Sequence, residues 1–226
     1  MQRRQTAPRG LSLIELMVAV AIGLVVAAAA VTLLTSQLRE SRSLLLEARL
    51  MQDLRTTADI VARDLRRAGY WGASTDGVWA TGAGAVAANP YAAVAPATAA
   101  SDAVSFRFSR DAAENNRVDA NEQFGFRLRT GVIEIQLGAG NWQALTDKGT
   151  FMVTQFSLAP NVQTLSLDAF CARPCPAGAS TCPPQQQVRS FTVEIGGRLA
   201  DDASVTRSVR SQVRLRNDPV VGACAA

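Results

Sequence analysis

The 226 residues allow one globular domain plus an anchoring segment, with a formal net charge of +4. Histidine is absent, which removes the commonest catalytic base and the commonest metal ligand. With no Ser/His, Cys/His or phosphate-cradling glycine pattern either, the chain reads as non-enzymatic and without a cofactor.

The chain opens on MQRRQTAPRG, which holds Arg3, Arg4 and Arg9 and no acid. Most of the positive balance therefore lies in these ten residues, and it is poor evidence for nucleic-acid binding. Residues 11–34 follow as one apolar run whose only ionisable residue is Glu15. As a helix this run is about 36 Å long, enough to cross a hydrocarbon core of about 30 Å. Arginines on the short side favour a cytoplasmic N-terminus. A secretory signal has a shorter apolar stretch, and a plain anchor does not explain Glu15. An acid inside lipid costs about 2.5–3.5 kcal/mol on insertion scales, so it is expected to serve a partner.

Arg9-Gly10 followed by Leu11-Ser12-Leu13-Ile14-Glu15-Leu16-Met17-Val18 resembles the cleavage and methylation signature of type IV prepilins and pseudopilins. The resemblance implies that residues 1–10 are a leader, cut by a prepilin peptidase between Gly10 and Leu11. It implies N-methylation of Leu11 and a role in subunit assembly for Glu15. Leu11 stands where the family usually has Phe. Cleavage would remove three arginines and leave the mature chain close to neutral.

From Thr35 the apolar residues thin into a stripe: Leu38, Leu46, Leu50, Leu54, Val61 and Leu65. The spacing predicts an amphipathic continuation of the helix over 35–69, with charged faces that include i, i+4 pairs such as Asp59 with Arg63. Arg66 and Arg67 suit the helix end, and Gly69 is the expected C-cap. A helix this long needs a second home for its first half, in the bilayer or in a bundle of like helices. Ala19, Ala21, Gly23 and Ala27 to Ala30 would let helix backbones approach closely. Many major pilins carry a proline near Thr32, and this chain has none there. Asp64-Leu65-Arg66-Arg67-Ala68-Gly69-Tyr70-Trp71-Gly72 resembles the PilW group of minor pilins, and less closely the GspJ-type minor pseudopilins of type II secretion. Tyr70 and Trp71 are expected to fold back as core or loop anchors.

Residues 70–103, rich in Ala, Gly, Ser and Thr with Pro90 and Pro96, are read as a connecting loop. After Ser101 the pattern alternates. Val104, Phe106 and Phe108 come first, then Phe124, Phe126 and Leu128, then Ile133, Ile135 and Leu137. Phe151, Val153, Phe156 and Leu158 follow, with Leu165 and Leu167 as a further short run. This predicts antiparallel strands covered by the second half of the helix. The acid-rich stretch 111–122 offers oxygen donors to calcium, but lacks the EF-hand spacing and its glycine, so it is read as a polar hairpin loop. Cys171, Cys175, Cys182 and Cys224 are disulfide candidates across the membrane. Their spacing is not a tidy zinc pattern, and three pairings remain open. A final hairpin pairs Phe191, Val193 and Ile195 with Val205, Val209, Val213 and Leu215, turning at Asp201-Asp202. The interspersed Arg207, Arg210, Arg214 and Arg216 are read as a solvated face or edge guard rather than a DNA track. Val213-Arg214-Leu215-Arg216-Asn217-Asp218 again resembles the PilW group.

The expected fold is therefore α+β and type IV pilin-like: one long N-terminal helix, transmembrane in its first half, packed on an antiparallel β-sheet domain over 104–226. The resemblance implies a minor pilin that takes part in pilus assembly at or near the tip. Its partners would be the prepilin peptidase, other minor pilins, the major pilin and the inner-membrane assembly platform, with nucleic acid not expected. It would wait in the inner membrane and then join the surface pilus, serving adhesion, twitching motility or DNA uptake. A GspJ-like pseudopilin and a DNA-uptake or adhesive tip subunit are the alternatives.

Overall fold

The computed structural model of the chain describes Gly10, residues 12–77 and residues 87–225. Helix α1 (Leu13–Leu65) is one unbroken element of 53 residues. No proline interrupts it. Its hydroxyls are satisfied locally: Thr32, Thr35 and Ser36 donate to the carbonyls of Ala29, Thr32 and Leu33 at 2.8–2.9 Å, so they need no outside partner in an apolar setting. The chain forms two compact units, divided after Leu46.

In the first unit α1 is long and apolar enough to cross a membrane, and its apolar window, of mean hydropathy 2.7, is buried nowhere. The stripe read from the sequence is covered only from Leu50 onward. Leu38 is exposed and Leu46 half-buried; both belong to the first unit.

In the second unit α1 buries Leu50, Leu54, Ala58, Val61, Ala62 and Leu65. The helix then tightens. Arg67 and Ala68 donate to the carbonyls three residues back, and Gly69 reverses the chain at φ +77°, a conformation that suits glycine. The Gly69 N–H donates to Arg107 at 2.8 Å rather than to the helix, so the cap also ties α1 to the strand beyond. The predicted helix end at residue 69 is thus a helix ending at Leu65 followed by a tighter turn.

The strands form two antiparallel sheets, where the sequence reading had one. The first is a meander in chain order: β1 (Val94–Ala95), β2 (Ala103–Arg107), β3 (Gln123–Arg129), β4 (Val132–Leu137) and β5 (Trp142–Ala144). The second contains β6 (Phe151–Ser166), β7 (Gln185–Leu199) and β8 (Thr206–Arg214), with β9 (Val220–Val221) sharing the second edge of β7 with β8. A bridge between Ser101 and Leu158 joins the two sheets. β1 lies inside the stretch read as loop. Too short to show a period, it pairs with β2 as Val94 with Phe106 and Ala95 with Ser105.

Strand β6 runs straight through Pro160, so Leu165 belongs to the same strand as Phe151 and is not part of a separate one. Its far half, residues 161–166, is exposed. The register of β6 against β7 shifts between Val153 and Gln155. This one-residue bulge moves the inward positions from Phe151 and Val153 to Phe156 and Leu158. Phe106, Phe108, Phe124 and Phe126 form a stacked aromatic cluster within the core. Phe108 and Phe124 stack with centroids 3.9 Å apart, and Arg67 lies over Phe108 at 4.1 Å.

Candidate assembly site

Glu15 lies in the first turn of α1. That turn begins when the Leu16 N–H donates to Ser12 at 3.1 Å. Ile14, Val18, Ala19 and Ile22 flank the carboxylate on the helix surface. The side chain is exposed and has no hydrogen-bond or ion-pair partner among the described residues. The helix N-terminus gives partial positive compensation, which does not satisfy a full charge in an apolar layer. Gly10 is exposed with open space around its Cα. Leu11, expected to be methylated, and residues 1–9, expected to be a leader, lie outside the described residues.

The structure pairs all four cysteines. Cys171 joins Cys224, and Cys175 joins Cys182. The first bridge ties Cys224, beyond β9, to the loop that follows β6, and the second closes a small loop between β6 and β7.

At the other end of α1, the Asn217 amide donates to the carbonyls of Arg67 at 3.4 Å and Ala68 at 3.1 Å. The Arg216 N–H donates to the Arg66 carbonyl at 3.2 Å. The Arg66 and Ala68 carbonyls are thus satisfied by the segment following β8, and the Arg67 carbonyl also accepts from the Tyr70 N–H at 3.0 Å. The helix charges do not pair with one another as the i, i+4 spacing suggested. Asp59 and Arg63 form no ion pair. Instead Glu47 bridges to Arg207 on β8, a residue 160 positions away. Of the remaining strand arginines, Arg214 bridges to Asp218 at 2.8 Å.

The connecting segment is held by buried polar contacts. The Asn89 amide donates to the Gly69 carbonyl at 2.9 Å. The Tyr91 ring is fully buried. Its hydroxyl lies 2.7 Å from the Arg117 carbonyl, 3.0 Å from Glu114 Oε1 and 3.2 Å from Glu122 Oε2. Burial, then the hydrogen bond to Glu114, pushes the phenol well above its ordinary value. Desolvation raises Glu114, but hydrogen bonds from the Ser109 hydroxyl, the Asn116 and Gly72 N–H groups and Tyr91 outweigh it, holding the carboxyl below its usual range. Trp71 is buried and donates to Asn116 Oδ1 at 2.7 Å, whereas Tyr70 is exposed. Only one of the two expected aromatic anchors therefore packs.

Asp111, Asp119 and Glu122 bring a carboxylate oxygen each within 4.8 Å of one another. The protein's own donors hold these oxygens. Glu122 accepts from the Arg110 and Asp119 N–H groups at 2.7 and 2.8 Å, and Asp119 accepts from the Asn115 amide at 2.9 Å.

A long apolar helix bearing one exposed acid in its first turn, whose second half packs on antiparallel sheets, defines a pilin-like subunit. Residues 6–31 match the prokaryotic N-terminal methylation motif, and residues 43–215 match prepilin peptidase-dependent protein B. The chain belongs to the prepilin peptidase-dependent protein B family, a pilin-like group processed by that peptidase. Searches of curated proteins and of solved structures find no match.

The sequence reading named the four cysteines, which the structure pairs, and Glu15 and Gly10, which it places exposed in and before the first turn of α1. It missed the Tyr91 cluster, the Glu47–Arg207 bridge and the Asn217 cap. Tyr91 stood alone in a stretch without a period, and the other two join residues about 150 positions apart.

Proposed function

We propose that the chain is a minor pilin, a structural subunit inserted in the inner membrane with its N-terminus cytoplasmic and then incorporated at or near the tip of a type IV pilus. Residues 1–10 are the leader. The peptidase cuts between Gly10 and Leu11, and Leu11 receives the methyl group. The observation that carries this reading is Glu15, an exposed carboxylate without a partner among the described residues, on an unburied apolar helix. In a low-dielectric bundle two opposite charges attract strongly, and either alone is penalised. The terminal amine of an adjacent subunit is the cation that meets this need, so Glu15 sets axial register as well as holding subunits together. The uncovered apolar side chains from Leu13 to Leu34 and the small residues among them fit the same helix bundle.

The chemistry at Glu15 serves a type II secretion pseudopilus equally well, and crosslinking with a tagged copy in native membranes separates the two. Recovery of pilus minor subunits and the assembly platform, together with a mature mass beginning at methylated Leu11, is the expected result. Recovery of secretion pseudopilins would move the chain to that system. A protein that keeps its leader and crosslinks to nothing of either kind would overturn the reading.

A further inference from the structure

The end of α1 and the segment after β8 enclose an open pocket of about 480 Å³, lined by Arg63, Arg66, Arg67, Arg216, Tyr70 and Phe108 among others. All four arginines are exposed. Among the described residues the Arg66 and Arg216 side chains make no hydrogen bond or ion pair, while Arg67 lies over Phe108. Asp64 is the acid that acts on Arg63 and Arg67. It is half-buried, and desolvation, opposed by those two arginines, pushes its carboxyl up. The pocket is thus strongly positive and lacks an occupant among the described residues. Planar guanidiniums converging on one concavity suit carboxylates, which they bind in a bidentate fork.

The chain carries the complementary group at the opposite end of the same hairpin. Asp201 and Asp202 are exposed in the turn between β7 and β8. The register runs from Arg198 opposite Thr206 beside that turn to Ser190 opposite Arg214 beside the pocket. The nine residues of β8 separate the two ends by about 30 Å. We propose that the arginine pocket receives the Asp201–Asp202 turn of a second copy of this chain in a head-to-tail contact. Such a contact joins two different surfaces and leaves one of each free to meet a further subunit. The Ser204 hydroxyl and N–H hold Asp202 below the usual carboxylate range, so it stays charged at neutral pH.

A nucleic-acid strand fits less well. It needs a run of free cations along its backbone, and the outward face of β8 does not continue one. Arg214 is taken by Asp218, and Arg210 sits opposite Glu194 in the register. The inference rests on the reading of the chain as an assembling subunit, and it adds a contact outside the apolar helix.

The test uses the full chain in detergent, labelled in two colours, with association read by energy transfer across a salt series. One variant carries Arg66→Glu and Arg216→Glu, and so presents acid at both ends. The other carries Asp201→Lys and Asp202→Lys, and presents base at both ends. Each alone should associate about tenfold more weakly than the wild type, and mixing the two should restore association. Misfolding cannot produce that restoration. Wild-type association in either variant, or no recovery on mixing, would overturn the proposal. So would binding of a single-stranded oligonucleotide that the arginine variant loses while its mixed association stays absent. A Glu15→Ala chain that loses helix assembly but keeps the salt-sensitive contact would separate a failure at Glu15 from a failure here.

Discussion

Leu54 of α1 lies directly over Gly197 of β7: a Cβ on Gly197 would come within 3.3 Å of Leu54 Cδ2 and of Phe151 Cδ2. This bare spot on the strand lets the helix sit close to the second sheet. Leu54 is fully buried there. Leu54→Ala should lose about 2–5 kcal/mol through lost transfer energy and the cavity left behind. Gly197→Val should also destabilise, by overpacking the same contact, at about 1–3 kcal/mol. Urea unfolding of the chain, followed by tryptophan fluorescence, measures both. If either variant matches the wild-type midpoint, this packing is not the one that holds helix to sheet.

The two disulfides should contribute unequally. Cys171 and Cys224 are 53 residues apart, and Cys175 and Cys182 are 7 apart. In the chain-entropy account these loops correspond to about 4 and about 2.5 kcal/mol. Thermal melts of Cys171→Ala/Cys224→Ala and Cys175→Ala/Cys182→Ala should therefore show the larger drop for the first pair. The reverse order would mean that the small loop rigidifies more than its length implies.

Glu114 gives the domain an acid-sensitive contact. Its folded carboxyl is held below the ordinary value of 4.5, so its stabilisation is present above that value and fades as pH falls through the lower folded value. Glu114→Gln should flatten the acid side of a plot of unfolding midpoint against pH. An unchanged acid slope would show that the Ser109, Asn116 and Gly72 donors do not favour the ionised form.

Much of the fold was legible because hydrophobic period survives in the sequence. The odd-numbered Phe151 and Val153 gave way to the even-numbered Phe156 and Leu158, a phase jump that the structure explains as the bulge in β6. Leu50, Leu54, Val61 and Leu65 marked the packed face of α1 correctly. Leu38 carried the same signal and proved exposed, since periodicity reports what a face is able to bury and not whether a sheet lies beneath it. The division into two sheets was hidden because alternation does not encode which strands become neighbours. Glu15 was legible because an acid in an apolar run violates its surroundings. The arginine pocket was not, because Arg63, Arg66 and Arg67 look like any solvated helix end until the fold brings Arg216 beside them.

The most direct measurement compares wild-type and Glu15→Ala chains expressed in cells that build pili, scoring the mass of the mature N-terminus and the amount of subunit in sheared filaments. The charge-pairing account predicts that the variant is cut after Gly10 and retained in the membrane, yet largely lost from the filament fraction. A variant recovered from filaments at the wild-type level would contradict it.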